Sequence, residues 1–171
     1  MIRKAEIKDL TSAMEIINDA KDLLKKSGST QWNLIDGYPN ITTIKSDIEK
    51  EILYVYEENH QILGIIAILG HDENYDEING QWLTNNEYLS LHRIAVRKNS
   101  HNQKIGTKLI LFAENIAKEK NIYSLKVDTH KLNTPMQKIL LQNGYIHCGI
   151  ITLKRTKEDN LRLAYEKQLA Q

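Results

Sequence analysis

The sequence predicts a single α/β domain, spanning residues 1–171, whose strands and helices follow the order β-α-α-β-β-β-α-β-α-β-β. Three observations carry this reading. A chain of 171 residues with 41% hydrophobic and 26% charged residues has the composition of one ordinary globular domain. Apolar residues recur with the strand period in some segments and the helical period in others, along the whole chain. No internal repeat or low-complexity linker interrupts them. A chain of this length buries roughly 70% of its unfolded surface, so its core needs neither disulfides nor a structural metal. The one cysteine, Cys148, has no internal partner, which fits a reducing compartment. The N-terminus, MIRKAEIKDL, lacks the apolar run of a signal peptide, and no stretch approaches the roughly 18 apolar residues of a membrane helix. A cytoplasmic protein without a membrane partner is expected.

Ile2 to Ile7 reads as a strand, and Asp9 as the N-cap of a helix whose apolar positions are Leu10, Met14, Ile17, Leu23 and Leu24. Lys25, Lys26 and Gly28 suit its C-terminus. The polar stretch Ser29 to Asn40 reads as a loop leading to a short helix near Thr42 to Ile52. Leu53 to Glu57 and Gln61 to Leu69 read as strands joined by the turn Glu58-Asn59-His60. After the acidic residues 70–86, Tyr88 to Val96 returns to strand composition. Leu109, Phe112, Ala113, Ile116 and Ala117 form the stripe of an amphipathic helix that begins near Gly106. Tyr123 to Thr129 is a strand and Thr134 to Gln142 a helix stopped by Asn143-Gly144. Strands Tyr145 to Leu153 and Arg162 to Gln168, separated by a turn at 157–160, end the chain.

The net charge of +1 argues against a dedicated nucleic-acid binder, yet the charge is unevenly placed. Residues 51–92 hold 8 acids and no lysine or arginine, whereas residues 93–171 hold 15 bases against 6 acids. From Tyr88 to Ala113 there is no acid at all, but there are Arg93, Arg97, Lys98, Lys104 and Lys108. A strand running through a polar turn into a helix aims free backbone N–H groups and the positive end of the helix dipole at one point. Lys104 and Lys108 are unfavourable near that end unless an anion such as phosphate compensates them, or unless both side chains reach into water.

The runs LHRIAVRKNSHNQKIGTKLILFAENIA (Leu91 to Ala117) and LKVDTHKLNTPMQKILLQNGYIHCGII resemble the GNAT superfamily of acetyl-CoA-dependent N-acetyltransferases. An early Trp-Tyr-Pro segment, Gln-Trp-Leu before the fourth strand and Asp-Thr-His-x-x-Asn after the fifth are similar to a bacterial subgroup, and the element order matches over nearly the whole chain. The resemblance implies the GNAT fold, a mixed central sheet of about seven strands with helices on both faces. It implies acetyl-CoA as co-substrate, without a metal, and a small-molecule or peptide amine as acceptor, and a homodimer is compatible with it. It also implies that the backbone of Ile94, Ala95 and Val96 binds the pantetheine arm. The pyrophosphate loop then comprises His101, Asn102, Gln103, Lys104, Ile105, Gly106 and Thr107. His101 stands where the family has Gln or Arg, and Lys104 where it has its first glycine; only Gly106 matches, and a lysine does not easily take positive φ. Asn133 matches the cofactor-facing asparagine of the family and is equally placed to cap the following helix. The tyrosine that protonates the coenzyme A thiolate in many relatives is Leu140 in this chain.

Acetyl transfer to a mostly protonated amine calls for a base. His92 is the first candidate, because an imidazole titrates near neutrality, and Glu87 the second; the alternative for His92 is a structural strand histidine. Alternation puts Ser90, His92, Ile94 and Val96 on one face of that strand. Asp128 and His130 are two apart, which allows an orienting contact with the cofactor or with His92, or plain packing. His60 and His71 fall in turns, His147 on a strand surface, and no His/Cys/Asp set has zinc spacing. Cys148 reads as a small buried hydrophobe rather than a nucleophile. For the acceptor, the acidic residues Asp76 and Glu77 are expected to attract an ammonium group and Tyr75 and Trp82 to offer aromatic faces to it; the bland alternative is a solvated acidic loop. Two rivals to the enzyme are a catalytically weak acyl-CoA-binding sensor and a plain nucleotide-binding module.

Overall fold

The computed structural model describes residues 1–32 and 37–171; Asn33 to Asp36, in the middle of the expected loop, lie outside the described residues. The elements are β1 (Ile2–Lys4), α1 (Leu10–Lys26), α2 (Ile41–Glu49), β2 (Leu53–Glu58), β3 (Gln61–Leu69), β4 (Asn79–Gly80), β5 (Leu89–Val96), α3 (Ile105–Glu119), β6 (Ser124–Thr129), α4 (Thr134–Gln142), β7 (Ile146–Thr152) and β8 (Leu161–Gln168). Single 3-10 turns cover Ile7–Asp9, Glu73–Tyr75 and Lys98–Gln103. The strands hydrogen-bond in the order β1-β2-β3-β5-β6-β8-β7-β4. The β5/β6 pair is parallel, and β1/β2, β2/β3, β6/β8, β7/β8 and β4/β7 are antiparallel, so the sheet is mixed as expected. Among the described residues it has eight strands rather than about seven. The added strand, β4, is two residues long and too short to show any period; Asn79 pairs with Ile150 and Gly80 with Gly149. Gly80 and Gly149 have φ of 140° and 147°, and a Cβ on either would collide with the backbone of the other strand, so only glycine permits this approach.

The chain divides into two compact units. The first comprises Met1–Ile68 and His92–Phe112. Its helix α1 buries Ala13, Ile16, Ile17 and Leu24, which recur at helical spacing, while Leu23, expected on that face, is exposed. Asp9 precedes α1 as expected but does not cap it. Its carboxylate instead accepts two bonds from Arg3, at 2.8 and 3.0 Å, and one from the Glu6 N–H, so β1 ends at Lys4 and the chain turns there. Burial would raise the Asp9 carboxyl, but Arg3 and the Glu6 N–H outweigh it and hold it below the usual carboxylate range. Asn40 caps α2 through the Thr43 N–H, at 3.0 Å, and the helix stops at Glu49, earlier than its apolar pattern suggests, where Glu51 takes a positive φ. Asn59 and His60, with φ of 50° and 62°, make the two-residue turn between β2 and β3.

Gly64 of β3 fixes how closely α3 can lie. A Cβ built there falls 2.7 Å from Ile105 Cγ2 and 3.1 Å from Leu109 Cδ1, so the first turns of α3 rest directly on the β3 backbone. Ile105 and Leu109 are buried accordingly.

The second unit comprises Leu69–Leu91 and Ala113–Gln171. Here β6 pairs with β8 so that Lys126 faces Glu166 and Asp128 faces Ala164, and it pairs with β5 so that Ser90 faces Lys126. Tyr75, Tyr88, Ile151 and Ala164 form a core cluster against which Ile78, Trp82 and Leu153 pack. Helix α4 is capped by Asn133, whose side chain accepts from the Met136 N–H at 3.3 Å. The β7/β8 register shifts between His147 and Gly149, which leaves Cys148 as the extra residue of a bulge. Cys148 is therefore half-buried rather than a core residue, and burial together with the Glu166 charge raises its thiol pKa. Among the described residues no helix is long and apolar enough to cross a membrane.

Adding a methyl group beneath α3 is expected to destabilise the protein. Gly64→Ala overpacks the contact with Ile105 and Leu109 and should cost about 1–3 kcal/mol in urea unfolding, with m unchanged. Wild-type stability in this variant would show that α3 can move away from β3 without loss.

Candidate active site

In the first unit β5 runs into the 3-10 turn Lys98–Gln103, then Lys104, then α3. Lys104 adopts φ 55° and ψ 29°, the left-handed conformation that the glycine-to-lysine change makes unexpected. Such a residue costs about 1–2 kcal/mol relative to right-handed backbone. Its carbonyl accepts from the Lys108 N–H at 3.1 Å, so Lys104 opens the helix, and the amides of Ile105, Gly106 and Thr107 precede the first intrahelical bond. No acidic residue occupies that first turn. Ile105 and Gly106 are buried, Thr107 is half-buried, and His101, Asn102, Gln103 and Lys104 are exposed. His101 folds back so that Nε2 lies 3.1 Å from the Val96 carbonyl oxygen, closing the turn onto the strand before it.

Two bases of this acid-free run, Arg93 and Arg97, pair with acids on other elements. Arg97 donates to the Ile62 carbonyl at 2.9 Å and pairs with Glu15 at 3.1 Å, and Lys108 reaches the Tyr56 hydroxyl at 3.3 Å. The Lys98 N–H donates to Asp19 at 3.3 Å. Lys104, the residue that leads into α3, is exposed.

Arg93 holds the centre of β5 in an unusual form, with φ 51° inside the strand. A left-handed residue there interrupts period-two alternation, so the single face expected for Ser90, His92, Ile94 and Val96 does not continue past Arg93. The parallel ladder with β6 likewise consists of Leu89, Ser90 and Leu91. The Arg93 guanidinium grips both oxygens of Asp47 on α2, with Nη2 at 3.0 Å from Oδ1, and donates from Nη1 to the Tyr38 hydroxyl at 2.8 Å. Both partners of this pair are buried. Burial raises the Asp47 carboxyl by more than Arg93 lowers it. The neighbouring His92 is half-buried, and its Nε2 is shielded from solvent.

In the second unit the segment between β3 and β5 carries the expected acceptor residues. Tyr75 is 2% exposed, donates its hydroxyl to Asp128 at 2.7 Å and accepts the Trp82 Nε1–H on its backbone carbonyl at 2.9 Å. Burial and the Asp128 charge push the Tyr75 phenol far up, so it stays protonated. Trp82 packs on Tyr75 with ring centres 5.4 Å apart. The ammonium on its indole is the chain's own: Lys126 Nζ lies 4.3 Å from the Trp82 ring centre and 4.1 Å from that of Tyr88. Asp76 is exposed and paired with His71, whereas Glu77 and Glu87 are exposed carboxylates. Glu166, fully buried, accepts from Leu83 N at 2.6 Å, Thr84 Oγ1 at 2.8 Å and Ser124 Oγ at 2.6 Å.

Asp128 and His130, which could have oriented the cofactor or His92, have other partners. Asp128 receives Tyr75, while buried His130 contacts Asp159 through Nε2 at 2.8 Å and accepts the Leu132 N–H on Nδ1 at 3.1 Å. Leu140 is fully buried in α4. Sequence reasoning missed Asp47, Lys126 and Glu166. The available signal was the strand spacing of Ser124, Lys126 and Asp128, three polar residues on one face of an otherwise apolar strand. Asp47 has no such signal, because its partner lies 46 residues away.

Residues 17–145 match the acetyltransferase (GNAT) family. A crystal structure of an acetyltransferase of the GNAT family from Streptococcus agalactiae is 33% identical, covers all of this chain and 96% of its own, and superposes with a TM-score of 0.88. The PaiA N-acetyltransferase of Thermoplasma acidophilum, solved in complex with coenzyme A, shares the fold, with a TM-score of 0.70 at 19% identity over 98% of each chain. An uncharacterized N-acetyltransferase of Bacillus subtilis, YesJ, is 24% identical over 110 residues, which is 64% of this chain and 61% of that relative's length.

Removing one partner of the buried Arg93–Asp47 pair should be severe. Arg93→Met leaves the Asp47 carboxylate desolvated without its donors and is expected to lose about 3–5 kcal/mol in chemical denaturation. Arg93→Lys keeps the charge but not the two-pronged geometry and should fall between. Equal stability of wild type and Arg93→Met would show that the pair does not hold β5.

Proposed function

Because the chain belongs to the acetyltransferase (GNAT) family, we propose that it moves an acetyl group from acetyl-CoA to a primary amine by direct attack in a ternary complex. The observation that carries the reading is the turn into α3, where Lys104 is left-handed and the amides of Ile105, Gly106 and Thr107 open a helix without acids. Such a turn suits a pyrophosphate. In this reading His101, Asn102 and Gln103 line the same turn, and the backbone of Ile94, Ala95 and Val96 holds the pantetheine arm. Asn133, already the cap of α4, contributes to the cofactor side.

The chemistry is a substitution at the thioester carbonyl. The amine nitrogen forms the new C–N bond, the C–S bond breaks, and the nitrogen loses a proton while the thiolate gains one. His92, beside the Arg93–Asp47 pair, takes the amine proton, with Glu87 as the alternative base. Leu140 is apolar and buried, so the thiolate takes its proton from water rather than from that position of α4. The exposed Asp76 and Glu77 draw in the ammonium end of the acceptor, and Trp82 with Tyr75 shapes the approach. The buried Leu140 also favours a second reading, an acyl-CoA-binding module with little turnover; release of free thiol over a panel of amines separates the two.

Coenzyme A is expected to raise the melting temperature of the wild type but hardly that of Gly106→Asp, in which a carboxylate meets the pyrophosphate; losing one charge-assisted bond costs about 1.5–3 kcal/mol. Equal shifts would reject the turn as the site. His92→Ala is expected to lower kcat by about 100-fold or more with coenzyme A affinity kept, and wild-type turnover would transfer the role to Glu87. Replacing Asp76 and Glu77 by asparagine and glutamine should raise the acceptor KM, with the effect shrinking as salt rises, and leave the KM of acetyl-CoA unchanged.

A further inference from the structure

We propose that Lys126 binds a carboxylate of the acceptor, so that the acceptor is an amine of the amino-acid class; this rests on the acetyl-transfer reading above and names the substrate class it would use. Lys126 stands in the middle of β6 and is 4% exposed. Its Nζ lies between the rings of Trp82 and Tyr88, at 4.3 and 4.1 Å from their centres. The ring faces favour the positive charge, but they do not replace oxygen acceptors for the three ammonium hydrogens. Among the described residues Nζ makes no hydrogen bond and no ion pair, and it is not sealed from solvent.

The groups that face it are committed elsewhere. Glu166, its register partner on β8, spends its oxygens on Leu83, Thr84 and Ser124 and acts on Lys126 only through space. Ser90, its register partner on β5, donates to the Gly70 carbonyl at 2.7 Å. Burial accordingly lowers the pKa of the ammonium, with Glu166, Cys148 and Asp76 opposing the shift. A largely buried ammonium that meets two aromatic faces and, among the described residues, no oxygen of the chain's own is suited to an anionic oxygen. The nearby charges of Glu166 and Asp76 oppose a dianion such as phosphate more than a monoanion, so of the two a carboxylate fits better. The exposed carboxylates of Glu77 and Glu87, in the same unit, suit the ammonium end of such an acceptor.

The test compares L-amino acids with their carboxamides as acceptors for wild type, Lys126→Met and Lys126→Arg, each first checked for folding by circular dichroism. In the wild type the KM of the preferred acid is expected to be at least about tenfold below that of its carboxamide. The ratio should fall to near one in Lys126→Met and persist in Lys126→Arg. A ratio near one in the wild type, or an unchanged ratio in Lys126→Met, overturns the inference while acetyl transfer stands. If Lys126→Met fails to fold, the wild-type ratio and Lys126→Gln decide. If no amine releases free thiol, the acetyl-transfer reading fails on its own. The same acids and carboxamides are then titrated by Trp82 fluorescence in a Trp32→Phe background, these being the chain's two tryptophans. A saturable change with acids, absent with carboxamides and in the Lys126 variant, keeps the carboxylate site; no difference overturns it.

Discussion

The grip of the Arg93 guanidinium on the Asp47 carboxylate is the interaction on which the first unit depends. Two full charges are buried together there, and the matched fork geometry and the Tyr38 hydroxyl help to offset their desolvation. The pair also holds Arg93 in a left-handed conformation that a strand residue does not choose by itself. That conformation ends the regular alternation of β5. At the other end of the loop, the close seat of α3 on Gly64 fixes the helix whose free amides follow Lys104. Strain at Arg93 and Lys104 is thus held by packing and pairing on either side of one short connection.

The second unit is organised by buried charge of a different kind. Glu166 is fully buried yet receives donors from Leu83, Thr84 and Ser124, which fastens the segment before β5 to the strands beneath it. Lys126 is fastened more loosely, by aromatic faces alone. Several acids that make residues 51–92 so negative have structural partners. Glu57 pairs with Arg3 at 2.7 Å and Glu51 with Lys4 at 3.6 Å, so part of that negative charge is matched by the first residues of the chain. The same holds for the basic run, where Arg93 and Arg97 are matched by Asp47 and Glu15.

Most elements were legible because each carries its own local signal. The stripe of α3, the Asn143-Gly144 stop of α4 and the Asn59-His60 turn need no knowledge of distant residues. Where local signals compete, the reading slipped. Asp9 has the chemistry of a helix cap, but Arg3 offers a stronger, charge-assisted partner. Cys148 has apolar character, but a bulge beside Gly149 turns it partly outward.

The sequence by itself determined the order of strands and helices apart from β4, and its motifs pointed to the family. The order follows from periodicity and capping chemistry and the family from motif resemblance, and both are carried by neighbours along the chain. Only the tertiary structure decided that Arg93 and Lys104 are left-handed, that Asp47 faces Arg93, and that Lys126 stands between Trp82 and Tyr88. Each of those outcomes depends on a partner many residues away. Its energy comes from burial and geometry, which no local pattern encodes.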